Sequence, residues 1–479
     1  MTKDGFGCLV LAERDIEAQQ NNTEGVMNLQ LDTTGWAEQE FSTCDLGDKR
    51  RTRRLVQFAA QVASCPDGST PNQTEYWSDL KAAYRLLDNR RVTFDAIASP
   101  HWNKTKRQDA GVYLISCDTT EVNFGGNNEA SGLGPLGPGF GRGFLLHSGL
   151  MIHPQTEEVL GLAGQRIRYR KPAAKKENST QKLARDRESR VWGELIDQIG
   201  LPPEGVRFVN ICDRGADNFE VYCKLQLNSH DWVVRASRLN RSIELQGEEM
   251  SLATSLERLP VVGKYELSYR NSKEGSRTAE IEVRCGEVIM PQPRQKSPWL
   301  NEIEITTIKM NLVEVREVNP PKSSAGLHWV LLTSLPASTF NEAWKVIEYY
   351  EKRPIVEEFH KALKTGCRVE ERQYETSERL EAITGLLSIT AIRLLQLRSE
   401  ARKAPDRPAN ELVPSVWLKM LGCLRKRKIT TVREFYRQLA GLGGHLLRKG
   451  DGEPGWITLW RGFEKLHVAV QALRLYRKA

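Results

Sequence analysis

The sequence predicts an α/β protein in which a mixed sheet is flanked by helices. Apolar, β-branched runs such as VYLIS and RFVNIC have the composition of buried strands. Segments 48–64 and 76–89 instead place apolar residues at helical spacing. The stretch at about 238–328 contains strand-like runs separated by turn residues and has little helical pattern. We therefore expect a β-rich region inserted within the α/β part of the chain.

A loose tail and a small helical domain are expected first. Residues 1–34 are polar and low in aromatics, which is typical of disorder. Residues 35–92 contain the two amphipathic helices. The first turns of the first helix carry four arginines: Arg50, Arg51, Arg53 and Arg54. Cations at a helix N-terminus interact unfavourably with the macrodipole. We therefore expect these arginines to have another role, and binding to phosphate groups is a good candidate.

The central domain is expected over residues 93–400 and the C-terminal domain over 401–479. The predicted central elements are strands at 111–117, 146–153 and 158–168, a basic segment at 168–189, a helix at 188–199, the strands RFVNIC and HWVLLTS, and a helix at 340–365 capped by Ser338 or Thr339. A Pro-containing polar stretch marks the boundary at 401–411. The C-terminal domain is helical, and its segment GWITLWRGFEKLHVAVQALRLY is suited to a helix–helix interface.

Composition narrows the class of protein. Lys and Arg total 69 against 61 acidic residues, a net charge of +8. This excess is mild for a nucleic-acid-binding protein, so the basic residues must be clustered to matter. The nine cysteines form no CxxC pair and are odd in number, which argues against a zinc site or a disulfide framework. No run approaches about 18 apolar residues, so a soluble cytoplasmic protein is expected.

Three acidic residues have surroundings that suit metal ions. Asp118 and Asp213 each follow an apolar run, where a carboxylate is costly unless it is paired or bound to a cation. Glu357 lies in the predicted 340–365 helix. Mg²⁺ prefers oxygen ligands, and two ions about 4 Å apart can clamp the attacking and leaving oxygens of a phosphoryl displacement. We expect these carboxylates to hold two Mg²⁺ ions, with Mn²⁺ as a substitute.

The run IEYYEKRPIVEEFHKALKTG places four functional side chains on one helical face: Tyr350, Arg353, Glu357 and Lys364. At about 100° per residue they fall within an arc of roughly 60°. This predicts a surface that grips phosphate and offers one carboxylate to a metal. Glu358 is the alternative ligand, although it lies about 100° further round. Pro354 leaves open either a kink or a new helix beginning there.

These motifs resemble the DDE transposases of bacterial insertion sequences, more narrowly the cut-and-paste, hairpin-forming kind. The Y-(2)-R-(3)-E-(6)-K signature of that group is matched at the four positions above, and its D-R-x-x-D run at Asp213, Arg214 and Asp217. EEFHKALKTG and LGDKRRTRRL also resemble the group, and the similarity extends from about Trp36 to the C-terminus. The resemblance implies a ribonuclease-H-like core with a β-rich insertion at about 238–328.

The resemblance also implies an activity and its partners. Such an enzyme nicks DNA at the element's end, forms a hairpin by attack of the freed 3′-hydroxyl, opens it, and joins the end to target DNA. Double-stranded DNA, as element ends and as target, is the expected partner. The N-terminal domain would recognise the element end, and the C-terminal domain would form the homodimer of the synaptic complex. No membrane partner is expected.

Individual DNA contacts follow from the same resemblance. Trp329 would form the wall of a pocket for a base flipped from the duplex, with plain core packing as the alternative. Arg235 would reach the same nucleotide, or else form a structural ion pair. Lys361 is expected to contact phosphate. The clamp on the phosphate of the bent strand would comprise Tyr350, Arg353 and Lys364.

Two other classes of function stay open, and so does the start of the chain. A metal nuclease of the same fold would cut DNA but fail at strand transfer, whereas a DNA-binding inhibitor would do no chemistry. The intact acidic triad and the basic N-terminal helix argue against the inhibitor.

Proteins of the resembled group begin only a few residues before the WAEQEF-like stretch. Met27 is therefore one candidate start, and an ordinary disordered extension is the other interpretation.

Overall fold

The computed structural model describes residues 33–125, 130–137, 139–170, 188–271, 275–321, 326–403, 405–411, 413, 415–448, 454 and 456–476. Most of the predicted tail and of the basic segment 168–189 therefore lies outside the described residues. The chain divides into two units. Of the described residues, the terminal unit comprises those within 33–170, 203–206 and 354–476, and the insertion-bearing unit comprises those within 188–202 and 207–353.

The described helices are, in chain order, α1 (Thr33–Phe41), α2 (Lys49–Ser64), α3 (Thr70–Gln73), α4 (Trp77–Leu87), α5 (Phe94–Lys106), α6 (Arg190–Ile199), α7 (Phe219–Leu227), α8 (Leu252–Arg258), α9 (Phe340–Glu351), α10 (Ile355–Lys361), α11 (Ser377–Lys403), α12 (Ser415–Arg425), α13 (Val432–Leu442) and α14 (Trp456–Tyr476). Short 3₁₀ turns lie at Arg214–Ala216, Trp299–Asn301, Val369–Glu371 and Ala409–Glu411, and a π-helical turn at Ala362–Gly366.

The described strands are β1 (Gly111–Asn123), β2 (Gly134–Leu136), β3 (Gly141–Ile152), β4 (Val159–Arg168), β5 (Val206–Cys212), β6 (Asp231–Arg235), β7 (Ser242–Leu245), β8 (Glu248–Ser251), β9 (Val261–Asn271), β10 (Gly275–Pro291), β11 (Thr307–Glu317) and β12 (His328–Thr333). The predicted strands correspond to β1, β3, β4, β5 and β12. Helix α8 within the β-rich stretch was not expected, and Thr33 and Thr34 belong to α1 rather than to the tail.

In the terminal unit, an antiparallel sheet is covered by helices. β3 pairs with β1, β2 and β4, always antiparallel. Helices α5 and α11 pack on β4, and α10 packs on β1 and β3. The apolar face of α2 is buried through Leu55, Phe58 and Val62, as its helical pattern predicts. The predicted apolar stripe of α2 is therefore a buried helix face.

In the insertion-bearing unit, the strands follow the order β5-β6-β12-β11-β10-β7-β8, and β9 pairs with β10. β5 and β6 are parallel, whereas β6 and β12 are antiparallel. This combination confirms the predicted class, an α/β protein with a mixed sheet flanked by helices. An antiparallel meander followed along the chain by a parallel pair is also the order expected of a ribonuclease-H-like core.

Helix α9 begins with a capping box. The Thr339 hydroxyl accepts a hydrogen bond from the Glu342 backbone N–H, and the Glu342 carboxylate accepts one from the Thr339 N–H, which confirms Thr339 as the cap. The helix lies directly on β9, because a Cβ at Gly263 would come within 2.2 Å of the Phe340 ring. Only glycine leaves room for so close an approach.

The helix predicted at 340–365 is not continuous, and of the two alternatives left open at Pro354 the new helix is confirmed. Helix α9 ends at Glu351, and α10 begins at Ile355 with Pro354 in its cap position. Proline has no N–H to continue the first helix, and its fixed φ suits the first turn of the second. The prediction that four side chains share one arc therefore fails: Tyr350 lies on α9, Arg353 lies between the helices, and Lys364 lies on the π-helical turn after α10.

A buried ion-pair cluster fixes α1 to α5. The Glu40 carboxylate is 8% exposed and lies 2.6 Å from His101 Nδ1 and 2.7 Å from Lys104 Nζ. Burial alone would raise the pKa of Glu40, but hydrogen bonds and charges from His101 and Lys104 lower it to about 2. The carboxylate is therefore ionised in the folded protein over the whole range in which proteins are usually handled.

This cluster predicts an acid-sensitive contribution to stability. Because the pKa of Glu40 is lower in the folded state, the contribution is present above about pH 4.5 and is lost as pH falls towards 2. It amounts to the order of 3 kcal/mol. Glu40→Gln should lower the melting temperature at pH 7 and lower it less at pH 3, measured by circular dichroism. Glu38→Gln, an exposed site on the same helix, should change neither; an equal effect of Glu40→Gln at both pH values would contradict the assignment.

None of the helices within the described residues combines the length and apolar character needed to cross a membrane.

Candidate active site

Asp118 lies inside a strand rather than at its end. β1 continues to Asn123 because the β-branched residues that follow Asp118 favour extended backbone. Asp118 stands opposite Ser148 on β3 and is half-buried. Its Oδ1 accepts a hydrogen bond from the Thr119 N–H at 2.8 Å. The carboxylate is therefore held by its own strand, and the predicted strand end at residue 117 is wrong.

A buried histidine lies beside this carboxylate on the next strand. His147 stands opposite Thr119, and its Nδ1 lies 2.7 Å from the Thr119 hydroxyl. Burial, with a smaller contribution from the nearby His360, lowers the pKa of His147 to about 3. The imidazole is therefore neutral at physiological pH and supplies no positive charge to Asp118.

Glu357 lies in the first turn of α10 and belongs to the same unit as Asp118. Its N–H donates to the Pro354 carbonyl at 3.0 Å, and its side chain is half-buried. The carboxylate of the alternative ligand Glu358 is paired with Lys361, with Nζ 2.9 Å from Oε1. A metal ion would therefore have to compete with Lys361 for Glu358.

The two lysines predicted to contact DNA, Lys361 and the clamp residue Lys364, have carboxylate partners. Lys361 is exposed and pairs with Glu358. Lys364 lies 3.2 Å from the carboxylate of Glu370, and that carboxylate also accepts the Asn123 N–H at the end of β1 at 2.9 Å. Phosphate binding would therefore have to compete with these pairs.

Asp213 belongs to the insertion-bearing unit and follows β5 directly, as predicted. Its Oδ1 accepts the Gly215 N–H at 2.8 Å and so caps the short turn Arg214–Ala216. Asp217 closes the other end of that turn. The side chain of Asp213 is half-buried, which leaves its carboxylate partly open to solvent.

Asp217 is a structural anchor whose role the sequence did not reveal. Its carboxylate is fully buried and accepts hydrogen bonds from the Tyr222 hydroxyl at 2.9 Å, the Ser237 N–H at 2.6 Å and the Ser237 hydroxyl at 2.9 Å. It also forms an ion pair with Arg241. The turn that carries Asp213 is thereby fixed to the end of β6 and to the segment that leads into β7. The D-R-x-x-D spacing was the signal available in the sequence.

Aromatic and cationic side chains gather near Asp213 in this unit. The Trp329 and Tyr350 rings meet edge to face, with centroids 5.2 Å apart. Arg235 lies beside the Tyr350 phenol and donates from Nη2 to the His328 carbonyl at 3.2 Å. Burial raises the pKa of Tyr350, although Arg353 and Arg235 oppose the shift. Four of the predicted DNA contacts therefore lie together: Tyr350, Trp329, Arg235 and Arg353.

These four side chains differ in exposure. Tyr350 and Arg353 are 5% and 6% exposed, so they do not form the open phosphate-gripping surface that the single-helix pattern predicted. Arg235 is half-buried, and burial lowers its pKa. Trp329 is half-buried and does not belong to the fully buried core. The residue is therefore partly accessible, as a stacking wall requires.

The acidic residues have the right chemistry for magnesium. Asp118, Asp213 and Glu357 offer carboxylate oxygens, the ligands that Mg²⁺ prefers, and all three are half-buried. Within the described residues, no group of three His, Cys, Asp or Glu side chains is arranged to hold one metal ion. The three side chains are therefore of the type that binds Mg²⁺, and metal binding at these residues stays a prediction.

The four arginines of α2 have different surroundings. Arg50 is exposed and pairs with Asp48, the residue that caps the helix. Arg51 donates to the Leu46 carbonyl at 2.7 Å. Arg54 Nη1 lies 3.0 Å from Asp79 Oδ1 on α4. Arg53 is exposed. The arginines therefore do not form one uniform basic patch, and Arg53 and Arg50 are best placed to meet phosphate.

Helix α4 presents aromatic residues that the sequence analysis did not single out. Tyr76 and Trp77 are 62% and 68% exposed. The Lys81 ammonium lies 5.1 Å from the centre of the Trp77 ring. Exposed aromatics beside a cation are a surface typical of nucleic-acid contacts. The sequence analysis did not predict that these residues are exposed, because an aromatic residue on an amphipathic helix more often packs inward.

Both ends of the chain match transposase domains. Residues 33–92 match a family described as transposase DNA-binding, and residues 391–479 match the transposase Tn5 dimerisation domain. The chain also aligns with the piggyBac transposase in a cryo-EM structure of its synaptic complex with hairpin DNA. That alignment has 9% identity and a TM-score of 0.38, and covers 94% of this chain and 83% of the other; a similarity this weak has no bearing on function. A DNA-binding domain and a dimerisation domain of the transposase type therefore flank the α/β core, and this arrangement supports a DNA transposase.

Proposed function

We propose that this protein is a cut-and-paste DNA transposase of the hairpin-forming kind. The observation that carries the proposal is the pair of transposase domain matches at 33–92 and 391–479. Between them lies an α/β core with carboxylates on β1, after β5 and on α10. An end-binding domain, a dimerisation domain and an acidic core are the parts that excision of a DNA element requires.

The acidic residues would form the catalytic centre. Asp118, Asp213 and Glu357 would hold two Mg²⁺ ions, or Mn²⁺ in their place. When bound, such ions lower the pKa of water and stabilise charge on the attacking and leaving oxygens. Helix α10 packs on β1, so Glu357 and Asp118 lie on neighbouring elements, which supports this assignment.

The aromatic and cationic cluster would hold the DNA strand that forms the hairpin. Arg235 and Arg353 bring two guanidinium groups to the Tyr350 phenol, and guanidinium groups bind phosphate through paired hydrogen bonds. The ring of the partly accessible Trp329 would stack on a base taken out of the duplex. Tyr350 packs against that ring edge to face and would keep it in position.

Two copies of the chain would act together on two element ends. The C-terminal match to a dimerisation domain covers α12, α13 and α14. Helix α13 buries Phe435, Tyr436 and Leu439 and packs on α14. The exposed Leu424, Leu446 and Val468 lie in the same region. We propose that this helical region pairs the two subunits in the synaptic complex.

We propose that the N-terminal arginines divide into DNA contacts and structural ones. Arg53→Ala should weaken binding to element-end DNA and reduce the log–log salt slope by roughly 0.9, the value for one lost phosphate contact. Arg54→Ala should instead lower the melting temperature, because Asp79 loses its partner. Fluorescence anisotropy over a salt series and a thermal melt distinguish the two. An unchanged slope in Arg53→Ala would show that this arginine does not touch the DNA backbone.

One assay tests the proposed function as a whole. The purified protein is incubated with Mg²⁺ and a plasmid that carries an element with its terminal repeats, and the products are separated on denaturing gels. A transposase yields nicked ends, hairpin ends and the excised element, and joins that element to a target plasmid. Cutting without joining would instead indicate a metal nuclease. Binding without cutting would indicate an inhibitor.

A further inference from the structure

A buried arginine outside the catalytic residues joins two parts of the terminal unit. Arg372 is 4% exposed, and its guanidinium donates to four acceptors. Nη1 donates to the Gly68 carbonyl at 2.6 Å and to Gln73 Oε1 at 3.1 Å. Nη2 donates to the carbonyls of Pro66 and Cys367 at 2.7 and 2.9 Å. A buried guanidinium is costly unless its N–H groups are satisfied, so these contacts define its position sharply.

The acceptors before residue 92 all lie in one stretch of the end-binding domain, which we call the 66–73 loop. It consists of the residues after α2 together with the one-turn helix α3 (Thr70–Gln73), and it falls within the transposase DNA-binding match. Two further contacts join the same loop to the segment around Arg372. The hydroxyls of Thr70 and Tyr374 lie 2.6 Å apart, and an Arg368 nitrogen lies 3.9 Å from an Asp67 oxygen. The attachment therefore does not depend on one side chain.

On its other side, the 362–374 segment is joined to the elements that carry two of the acidic residues. It continues from α10, the helix of Glu357, through the π-helical turn. Its Glu370 carboxylate accepts the Asn123 N–H at the end of β1, the strand of Asp118. Cys367, an acceptor of Arg372, donates its N–H to the Ala362 carbonyl at 2.9 Å. End-binding loop, strand and helix thus meet at one short segment.

The backbone of this segment is unusual in two places. The π-helical turn Ala362–Gly366 interrupts regular helix geometry, and Arg368 adopts a left-handed conformation with φ of 46°. Both features cost free energy and persist only where surrounding contacts impose them. Here the imposing contacts are those of Arg372, Tyr374 and Glu370. The geometry is therefore set jointly by the end-binding loop and by β1.

We infer that Arg372 is a positioning residue that couples recognition of the element end to the catalytic carboxylates. DNA bound to the N-terminal helices would fix the 66–73 loop, and Arg372 would transmit that position to α10 and β1. Cleavage would then be favoured at the correct end over other DNA. This inference rests on the proposed function and adds to it a route by which sequence recognition controls cutting.

The test compares end-specific with non-specific cutting in the full-length protein. Arg372→Lys keeps the charge but cannot form the fork of four hydrogen bonds. It should bind element-end DNA as the wild type does and nick a supercoiled plasmid without element ends at the wild-type rate in Mn²⁺. Its nicking of end-bearing DNA should fall, so that the ratio of specific to non-specific nicking drops at least about fivefold, the lower range of coupling between sites.

Arg379→Lys is the matched control. Arg379 pairs with Asp88 and so also joins the end-binding domain to a later element, but through α11 rather than the 362–374 segment. Its ratio should stay at the wild-type value. If Arg372→Lys does not fold, Tyr374→Phe decides the question, because it removes only the hydroxyl contact to Thr70 and should lower the same ratio.

The possible outcomes separate the inference from the proposed function. An unchanged ratio in an enzyme that cuts would overturn the coupling alone. Equal loss of both kinds of nicking, together with a lower melting temperature, would show that Arg372 merely stabilises the fold. A wild-type protein that cuts neither substrate would overturn the proposed function itself.

Discussion

Alanine at Asp118, Asp213 or Glu357 is expected to abolish cleavage of element-end DNA and to leave end binding intact. Loss of one ligand removes several kcal/mol of charge stabilisation in the transition state, which corresponds to a rate loss of more than about a hundredfold. End binding should survive because the matched DNA-binding domain ends at residue 92. Nicking assays in Mg²⁺ and gel shifts in EDTA measure the two properties separately.

The neighbouring glutamate provides a control for this experiment. Glu358→Ala removes a carboxylate that is bound to Lys361 and should keep cleavage near the wild-type rate. Mn²⁺ binding, followed by electron paramagnetic resonance, should weaken in the three variants and not in Glu358→Ala. If one of the three kept more than about a hundredth of the wild-type rate, that residue would not be a ligand. A loss in Glu358→Ala alone would transfer the role to that glutamate.

Replacement of Trp329 by alanine is expected to separate nicking from hairpin formation. The first cut needs a positioned phosphate only, whereas the hairpin needs a base held out of the stack. Loss of base–aromatic stacking costs about 1–3 kcal/mol, so hairpin formation should slow roughly tenfold to a hundredfold. Nicked ends should accumulate on a denaturing gel while the nicking rate stays close to wild type.

Two comparisons show whether this loss comes from base stacking. A substrate that lacks the flipped base should restore much of the hairpin rate, because no base then has to leave the stack. Trp344→Ala removes another half-buried tryptophan of the same unit, packed against Tyr265, and should not block hairpin formation selectively. A Trp329→Ala protein that melts much earlier and slows both steps equally would assign the ring to structural packing.

Features that depend on neighbours along the chain could be predicted from the sequence. Helix α2 spans Lys49–Ser64 where 48–64 was expected, because its apolar stripe and its Asp48 cap are local. The capping box at Thr339 follows from a spacing of three residues. The strand ending before Asp213 was also placed correctly. The suitability of Asp118, Asp213 and Glu357 as Mg²⁺ ligands could also be inferred from the sequence, because it depends on residue type.

Two local predictions needed correction from the structure. The helix at 340–365 was expected to be continuous, with a kink or a new helix at Pro354 left open, and the structure shows the new helix, because proline lacks the N–H that would continue the first one. β1 was ended at residue 117, although Thr119 and Thr120 extend it to Asn123. In the second case the Asp118 carboxylate was taken as the end of the strand.

The sequence by itself thus determined the element types, the acidic set and the transposase resemblance, whereas only the tertiary structure decided which charges serve the fold. Arg54 pairs with Asp79, Asp217 is held by Ser237 and Arg241, and Arg372 is held by residues about 300 positions away. The sequence does not distinguish a charged residue that binds DNA from one that is hydrogen-bonded to a buried carbonyl. The difference lies in burial and in partners brought together by packing, and neither leaves a periodic trace along the chain.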